Sequence, residues 1–565
     1  MGKVGINIDG SARYPERNRL LPILLAGLLF PDPFYAREPR PAAPPYRPVV
    51  GRTGPAVSFS GDVRLLPASR PETLQETPRF RTASTAGTLL RSPLALLDPV
   101  RREFSPTGAM PGPLLQFAGM DLAGYGSGFP PDPNGDVGSD HYVQAVNTSI
   151  AIFSKAGVQL AAFRYNDFFR NPTPTGTLCD SYNRGDPIVL YDSLAGRWIV
   201  SDFAWASTSG PFYECLAVSK TSDPVLGGWW KYAFLAHATL LNDYPKLSVW
   251  PDAYYLTADL FTYSSNEFQG NRVWALNRSE MLNGLPFSYI SFDLASTRPT
   301  LLPSHQHGTA PPIGAPNYLV RLADSGILHL FRFHVDWTSP AAGSTLTGPV
   351  EISVAPWTER LALIPQKNST TSLDALGDRL MMYNRYSRLG GVESLWLNHT
   401  VDSGGIAGIR WYQIQDPGGS APGIRQQGTF QPDSNHRWIA SMALDKDGNM
   451  AMGYSVSGAS LFPSIRYAGR LAGDPLGELT QSETSLFEGT GPQSTLCGGR
   501  PCDRWGDYSS MNVDPIDGCT FWYTNEYFTE DSPGSWKTRI GTFRFPSCQP
   551  NPPPPNRYHF PFVYR

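Results

Sequence analysis

Charge is scarce in this chain. Lys, Arg, Asp and Glu make up 17% of it, against about 25% in ordinary soluble domains. The formal net charge of −3 leaves no basic excess for a nucleic-acid or anionic-membrane partner. Cysteine is scarce as well: there are 6, none in a CxxC pair and none beside histidine at zinc-finger spacing. That excludes the common structural zinc sites. No run after the N-terminus is apolar for long enough to form a transmembrane helix. A Walker loop, a GxGxxG opening a helix, a GxSxG elbow and an HExxH are all missing, so nothing points to the chemistries those motifs carry.

What the chain does have is turns and rings. It holds 54 Gly and 54 Pro, and 12% of its residues are aromatic, which suits short strands joined by tight turns. A degenerate pattern recurs: a small residue or Pro near an Asp, an apolar strand, a turn, then a second strand ending in Asp or Asn. Gly185-Asp186 leads through the Asp192 to Gly196 turn to Asp202, and Asn242-Asp243 leads through Pro251-Asp252 to Asp259. Gly506-Asp507 leads to Asn525, Asp378 to Asn398, Asp132 to Asn147, and Trp438 through the Asp445 to Gly448 turn to Ser455; a divergent copy surrounds Asn317 to Ala323. Further strands follow each pair. Repeated four-stranded units predict an all-β fold, a single seven-bladed β-propeller. The last unit shows only three strands, and Leu114 to Ala118 has no other partner, so that N-terminal strand is expected to close the ring.

The ends read differently. Arg13, Arg17 and Arg19 precede a short apolar run, Leu20 to Phe30, so residues 1–36 are expected to be a signal or targeting segment. Residues 37–110 are rich in Pro, Arg, Ser and Thr without periodicity and read as a disordered leader. The propeller is assigned to 111–548, and 549–565 to a Pro-rich spacer and tail. An even set of cysteines beside an export signal predicts disulfides and a secreted or cell-surface protein. Cys519 begins the second strand of the last unit and Cys548 follows its third, so these should meet. Cys497 and Cys502 would close a short loop, which leaves Cys179 with Cys215; the alternative is free, buried thiols.

Pro130 to Gly138, Gly185 to Asp202, Asn242 to Leu247, Arg504 to Met511 and Phe521 to Tyr527 together resemble a bacterial family of uncharacterised secreted propellers, distantly sialidase-like or BNR-like in fold. The resemblance implies a fold rather than a reaction. Asp514 to Trp522 is only a stretched imitation of an Asp-box, and no arginine triad carries over.

In such a ring the strand-start residues Asp132, Asp186, Asp243, Asp378 and Asp507 should gather at the top mouth of the central channel. Asn147, Asp202, Asp259, Asn398 and Asn525 should lie nearby as further ligand-binding groups. The same residue types also cap strand ends. Asp132, Asn134 and Asp136 place oxygens at alternate positions, a partial match to a calcium loop, so calcium is the candidate ion. Asp507 with Glu526 is a weaker candidate carboxylate pair for glycoside hydrolysis. His305-Gln-His307 is expected in a long loop, Ser296 to Pro316, over the top face. Trp505, Tyr508 and Trp522 could stack on sugars or pack between blades. The first functional expectation is a non-enzymatic protein that binds an extracellular glycan or protein through its top face. The alternative is a carbohydrate-active enzyme, hydrolase or lyase, with its site in the same funnel.

Overall fold

The structure is a computed structural model that describes residues 46–69, the backbone of 75 and 76, and 98–552 apart from 127, 361 and 498. The expected signal segment, the tail from 553 onward and parts of the leader lie outside the described residues. Strands take 51% of the chain and helices 5%. None of the described helices is long and apolar enough to cross a membrane.

From Asn134 the chain lays down one antiparallel meander after another. Asn134–Val137, His141–Val146, Ser149–Ser154 and Gln159–Arg164 form the first. The second runs from Ile188–Asp192 through Arg197–Ala204 and Phe212–Ser219 to Trp229–His237. The third runs from Leu241–Val249 through Ala253–Thr262 and Glu267–Asn277 to Ser288–Leu294. Two more meanders, beginning at Leu302–Gln306 and Leu380–Leu389, merge into one nine-stranded sheet. They merge because their first strands pair in parallel, Ser304 to Gln306 against Asn384 to Tyr386. The next begins at His436–Leu444. The last holds Ser510–Val513, Phe521–Thr529 and Ser532–Phe543, and Leu115–Asp121 supplies its fourth strand, with Phe117 opposite Ile540.

The second strands are buried almost end to end, as in Arg197–Ala204. Both their faces pack against neighbouring sheets, so they read as apolar runs rather than alternating ones. Asp-to-Gly turns join the first and second strands. Asp192 Oδ1 accepts from the Leu194 and Ala195 amides, 3.1 and 3.2 Å away, and Gly196 closes the turn at φ 64°. A side-chain amide mimic followed by a left-handed glycine is what the tight reversal requires.

The first strands of successive meanders touch in chain order, and the last touches the first. Side chains tie them. Asn134 Oδ1 accepts the Val189 amide at 2.8 Å, and His305 Nδ1 accepts the Val249 amide at 3.2 Å. Arg385 Nε donates to the Met442 carbonyl at 3.2 Å, and Ser441 Oγ accepts the Met511 amide at 3.0 Å. Asn512 Nδ2 donates to the Gly135 carbonyl at 2.7 Å, linking the last meander to the first.

Two expectations need correction. The described part of the leader is not featureless: Val49–Arg52 pairs with the outer strand Ser288–Leu294, and Val57–Phe59 with Trp229–His237. Gly108–Ala109 lies parallel to Gln481–Phe487. Phe59 and Val63 are buried, and Asp98 forms a buried ion pair with Arg410 at 2.6 Å. The segment lacks period-2 patterning because each piece only covers a sheet edge, where backbone groups do the pairing. His305, likewise, is not in a loop. It is buried in the first strand Leu302–Gln306 and stacks on Tyr383, with ring centroids 5.2 Å apart. All six cysteines are paired: Cys179 with Cys215, Cys497 with Cys502 and Cys519 with Cys548.

Candidate functional site

The chain enters its first strands through a recurring backbone device. Asp132, Asp186, Tyr244, Thr300, Leu376 and Ile439 all have left-handed backbone, with φ of 48, 52, 53, 60, 45 and 47°. This conformation is costly for side-chain-bearing residues, and most of all for Thr and Ile. Its recurrence at one end of successive first strands turns each chain sharply into the mouth. The register there differs from the sequence alignment. Tyr244, rather than Asp243, is the counterpart of Asp132 and Asp186.

The structure nevertheless brings the strand-start acids together. Asp132, Asp186, Asp243 and Asp507 act on one another electrostatically, and Asp378 joins them through Arg379 and Tyr244. Asp186 is 9% exposed, the Asp378 and Asp507 side chains are 15% and 16% exposed, and Asp243 is also part-exposed. Asp132 is wholly buried, and Asp186 is nearly so. Asp132 Oδ1 accepts the Asp507 backbone N–H at 2.6 Å, and its Oδ2 accepts Asn147 Nδ2 at 2.6 Å. Asn147 Oδ1 in turn accepts the Asp186 backbone N–H at 2.8 Å. One buried Asp–Asn pair therefore holds the backbones of both Asp507 and Asp186. Gly506 permits this approach, since a Cβ there would sit 3.0 Å from Pro133 Cδ and 2.6 Å from Glu526 Oε1.

The protein's own cations answer the repulsion. Lys246 is buried and its Nζ donates to the Tyr244 and Pro245 carbonyls and to the Tyr508 hydroxyl, at 3.1, 2.9 and 3.1 Å. Tyr508 in turn donates its hydroxyl hydrogen bond to Asp186 Oδ2 at 2.9 Å. Arg504 lies 3.6 Å from Asp507, and Arg379 pairs with Asp378 at 2.9 Å. Burial and the Asp507 carboxylate push Asp186 up to about 6, against the pull of Lys246, Tyr508 and Arg504. Burial pulls Lys246 down to about 7, against the nearby Asp186 and Asp259. Burial and then Asp186 raise Asp243 well above the usual carboxylate range. Sites that combine such shifts with a specific charge partner are where acid–base chemistry is found.

Other sequence-predicted residues have different jobs. Asn147, Asp202, Asp259, Asn398 and Asn525 are 0, 1, 2, 0 and 1% exposed, so all five are buried. Asp259 Oδ1, for example, accepts the Thr300 amide at 2.8 Å and Asn271 Nδ2 at 2.6 Å. Asn134 and Asp136 brace the second meander: Asp136 Oδ2 accepts the Tyr191 amide at 2.7 Å. Their oxygens are thus committed to backbone donors rather than offered to an ion. Among the described residues, the group of His, Cys, Asp and Glu close enough to share an ion is Asp447 with Cys519 and Cys548, and those sulfurs are bonded to each other. Glu526 is buried and accepts the Gly506 backbone N–H, so it is not the partner of Asp507 in an open cleft. Trp505, Tyr508 and Trp522 are buried packing residues. Lys246, Arg504, Arg379 and Tyr244 were missed as site residues. The signal was present, because Asp243-Tyr-Pro-Lys246 and Arg504-Trp-Gly-Asp507 carry cations at the same strand starts.

No protein-family model and no curated protein sequence matches the chain. Solved structures do. An α-L-arabinofuranosidase from Fusarium graminearum, Arb93A, is 10% identical over 79% of this chain and 99% of its own, with a TM-score of 0.32. An α-L-arabinanase from Penicillium chrysogenum is 10% identical over 65% of this chain and 98% of its own, with a TM-score of 0.33. A GH43 endo-arabinanase from Bacillus licheniformis is 10% identical over 60% of this chain and 93% of its own, with a TM-score of 0.27. At these identities and TM-scores the likeness carries no conclusion about this chain. These neighbours are named as glycoside hydrolases, the class of the alternative reading and not of the non-enzymatic binding protein expected first. The strand-start carboxylates interact with one another and with Lys246, Arg504 and Arg379.

Proposed function

We propose that the protein is a carbohydrate-active enzyme that hydrolyses glycosidic bonds, with Asp186 and Asp507 as its working carboxylates. One observation carries the reading. These two acids, Asp186 buried and Asp507 part-exposed, come from different meanders, interact with each other, and are fixed through their backbones by the same buried Asp132–Asn147 pair. Glycoside hydrolysis needs two carboxyl groups with separate tasks. Asp186, raised to about 6, supplies the proton to the leaving oxygen. Asp507, beside Arg504, is the base or nucleophile. Asp132 is a positioning residue. The scaffold of this reading is a seven-bladed propeller closed by Leu115–Asp121, supported by the order in which the first strands touch and by the pairing with Ser532–Phe543. Export to an oxidising compartment belongs to the same proposal, supported by the three disulfides.

The test is a panel of chromogenic glycosides and plant and microbial polysaccharides, run with the parent, Asp186→Asn and Asp507→Asn. Turnover of at least one substrate, lost by about a thousandfold or more in both folded variants, is the expected result. A parent that binds a glycan without turnover, or variants that retain full rate, would overturn it.

A further inference from the structure

A cavity of about 340 Å³ opens on the face that carries the Asp-to-Gly turns, away from the strand-start acids. It is lined by three basic side chains, Arg385, Arg388 and Lys446, and by the apolar Leu194, Leu389 and Leu444. Its acids are already committed. Asp514 pairs with Lys155 at 2.9 and 2.7 Å, and Asp445 accepts the Asp447 and Asn449 amides and Asn449 Nδ2, at 2.9, 2.9 and 2.7 Å. Arg385 is 2% exposed and lies across the channel. Its Nε donates to Met442, its Nη2 to the Met511 carbonyl and Asn512 Oδ1, and the guanidinium carbon sits 3.8 Å from the centre of the Tyr383 ring. Its third nitrogen, Nη1, is buried and has no hydrogen-bond partner among the described residues. A guanidinium donor left unpaired in the interior is costly.

We infer that this cavity is a binding site for a small organic carboxylate of about monosaccharide size, its acid group held by Arg385 with Arg388 and Lys446 and its body lying against the leucines. The volume falls at the low end for small-molecule pockets of about 300–1,000 Å³. The inference stands apart from the proposed hydrolase site, because no residue of the cavity belongs to the mouth cluster. The test is thermal unfolding and calorimetric titration of the full chain with sodium glucuronate, compared with glucose and with sodium chloride at matched ionic strength. Glucuronate should raise the melting temperature in a concentration-dependent way, and glucose and chloride should not. Lys446→Ala should weaken binding by about tenfold, and Leu389→Trp, which fills the cavity from its rim without touching Arg385's ties, should abolish it. Asp186→Asn should leave it intact. An equal shift with chloride, no shift at all, or a shift that survives Leu389→Trp but vanishes in Asp186→Asn would overturn the inference.

Discussion

Glu214 shows how strongly single acids are perturbed near the mouth. It is fully buried beside Asp202, Oε2 accepts Asn242 Nδ2 at 2.9 Å, and burial pushes it up to about 8. A carboxyl raised in the folded state binds its proton more tightly there than in the unfolded chain, so its stabilising contribution is complete below about pH 4.5 and is lost as pH rises towards 8. Glu214→Gln cannot ionise and can still accept from Asn242. Its melting temperature should therefore gain on the parent between pH 4.5 and 8, by the equivalent of a few kcal/mol at the upper end. A difference that stays flat across that window would show that the parent's Glu214 does not titrate there. At this scale the acids were legible in the sequence, because a chemically distinctive residue recurs at one pattern position. Which of them face solvent was not legible. Asp132 and Asp186 share a motif and a left-handed backbone, yet only the contacts made by neighbouring meanders bury the first completely and leave the second at 9% exposure.

Between residues and molecule lie the hairpins and straps. The turns could be read because Asp and Gly have fixed roles in tight reversals. Register at Asp243 could not, because the left-handed position passes to Tyr244 and only the neighbouring strand reveals the slip. The leader was unreadable for another reason: short edge strands need backbone pairing and a few buried anchors, not a periodic face. Two predictions belong here. A chain lacking residues 46–69 should melt lower and aggregate on heating, since it uncovers the strands Ser288–Leu294 and Trp229–His237 and removes Phe59 and Val63 from the core. Unchanged melting and solubility would make the strap dispensable. Loss of the Cys519–Cys548 bond in a double Ser variant should cost about 2–4 kcal/mol in denaturant unfolding; a cost near zero would mean that the end of the last meander is held by packing alone.

At the scale of the whole molecule, the all-β class was legible from composition and from repeated hairpins. The merging of two meanders into one sheet was not, since it depends on a parallel pairing between strands about eighty residues apart. Closure has its own test: Leu115 and Thr542 are register partners, so Leu115→Cys with Thr542→Cys should form a cross-link under oxidising conditions that raises the melting temperature. The central claim, that the mouth is a hydrolase site with Asp186 as its acid, is tested most directly by the pH profile of kcat/KM on the best substrate of the glycoside panel, in the parent and in Tyr508→Phe. A general acid must be protonated, so the parent rate should fall as pH rises through about 6. Tyr508 donates to Asp186 Oδ2 and so favours its ionised form; losing that hydroxyl should move the falling limb to higher pH. A limb that stays in place, or moves to lower pH, would contradict the assignment.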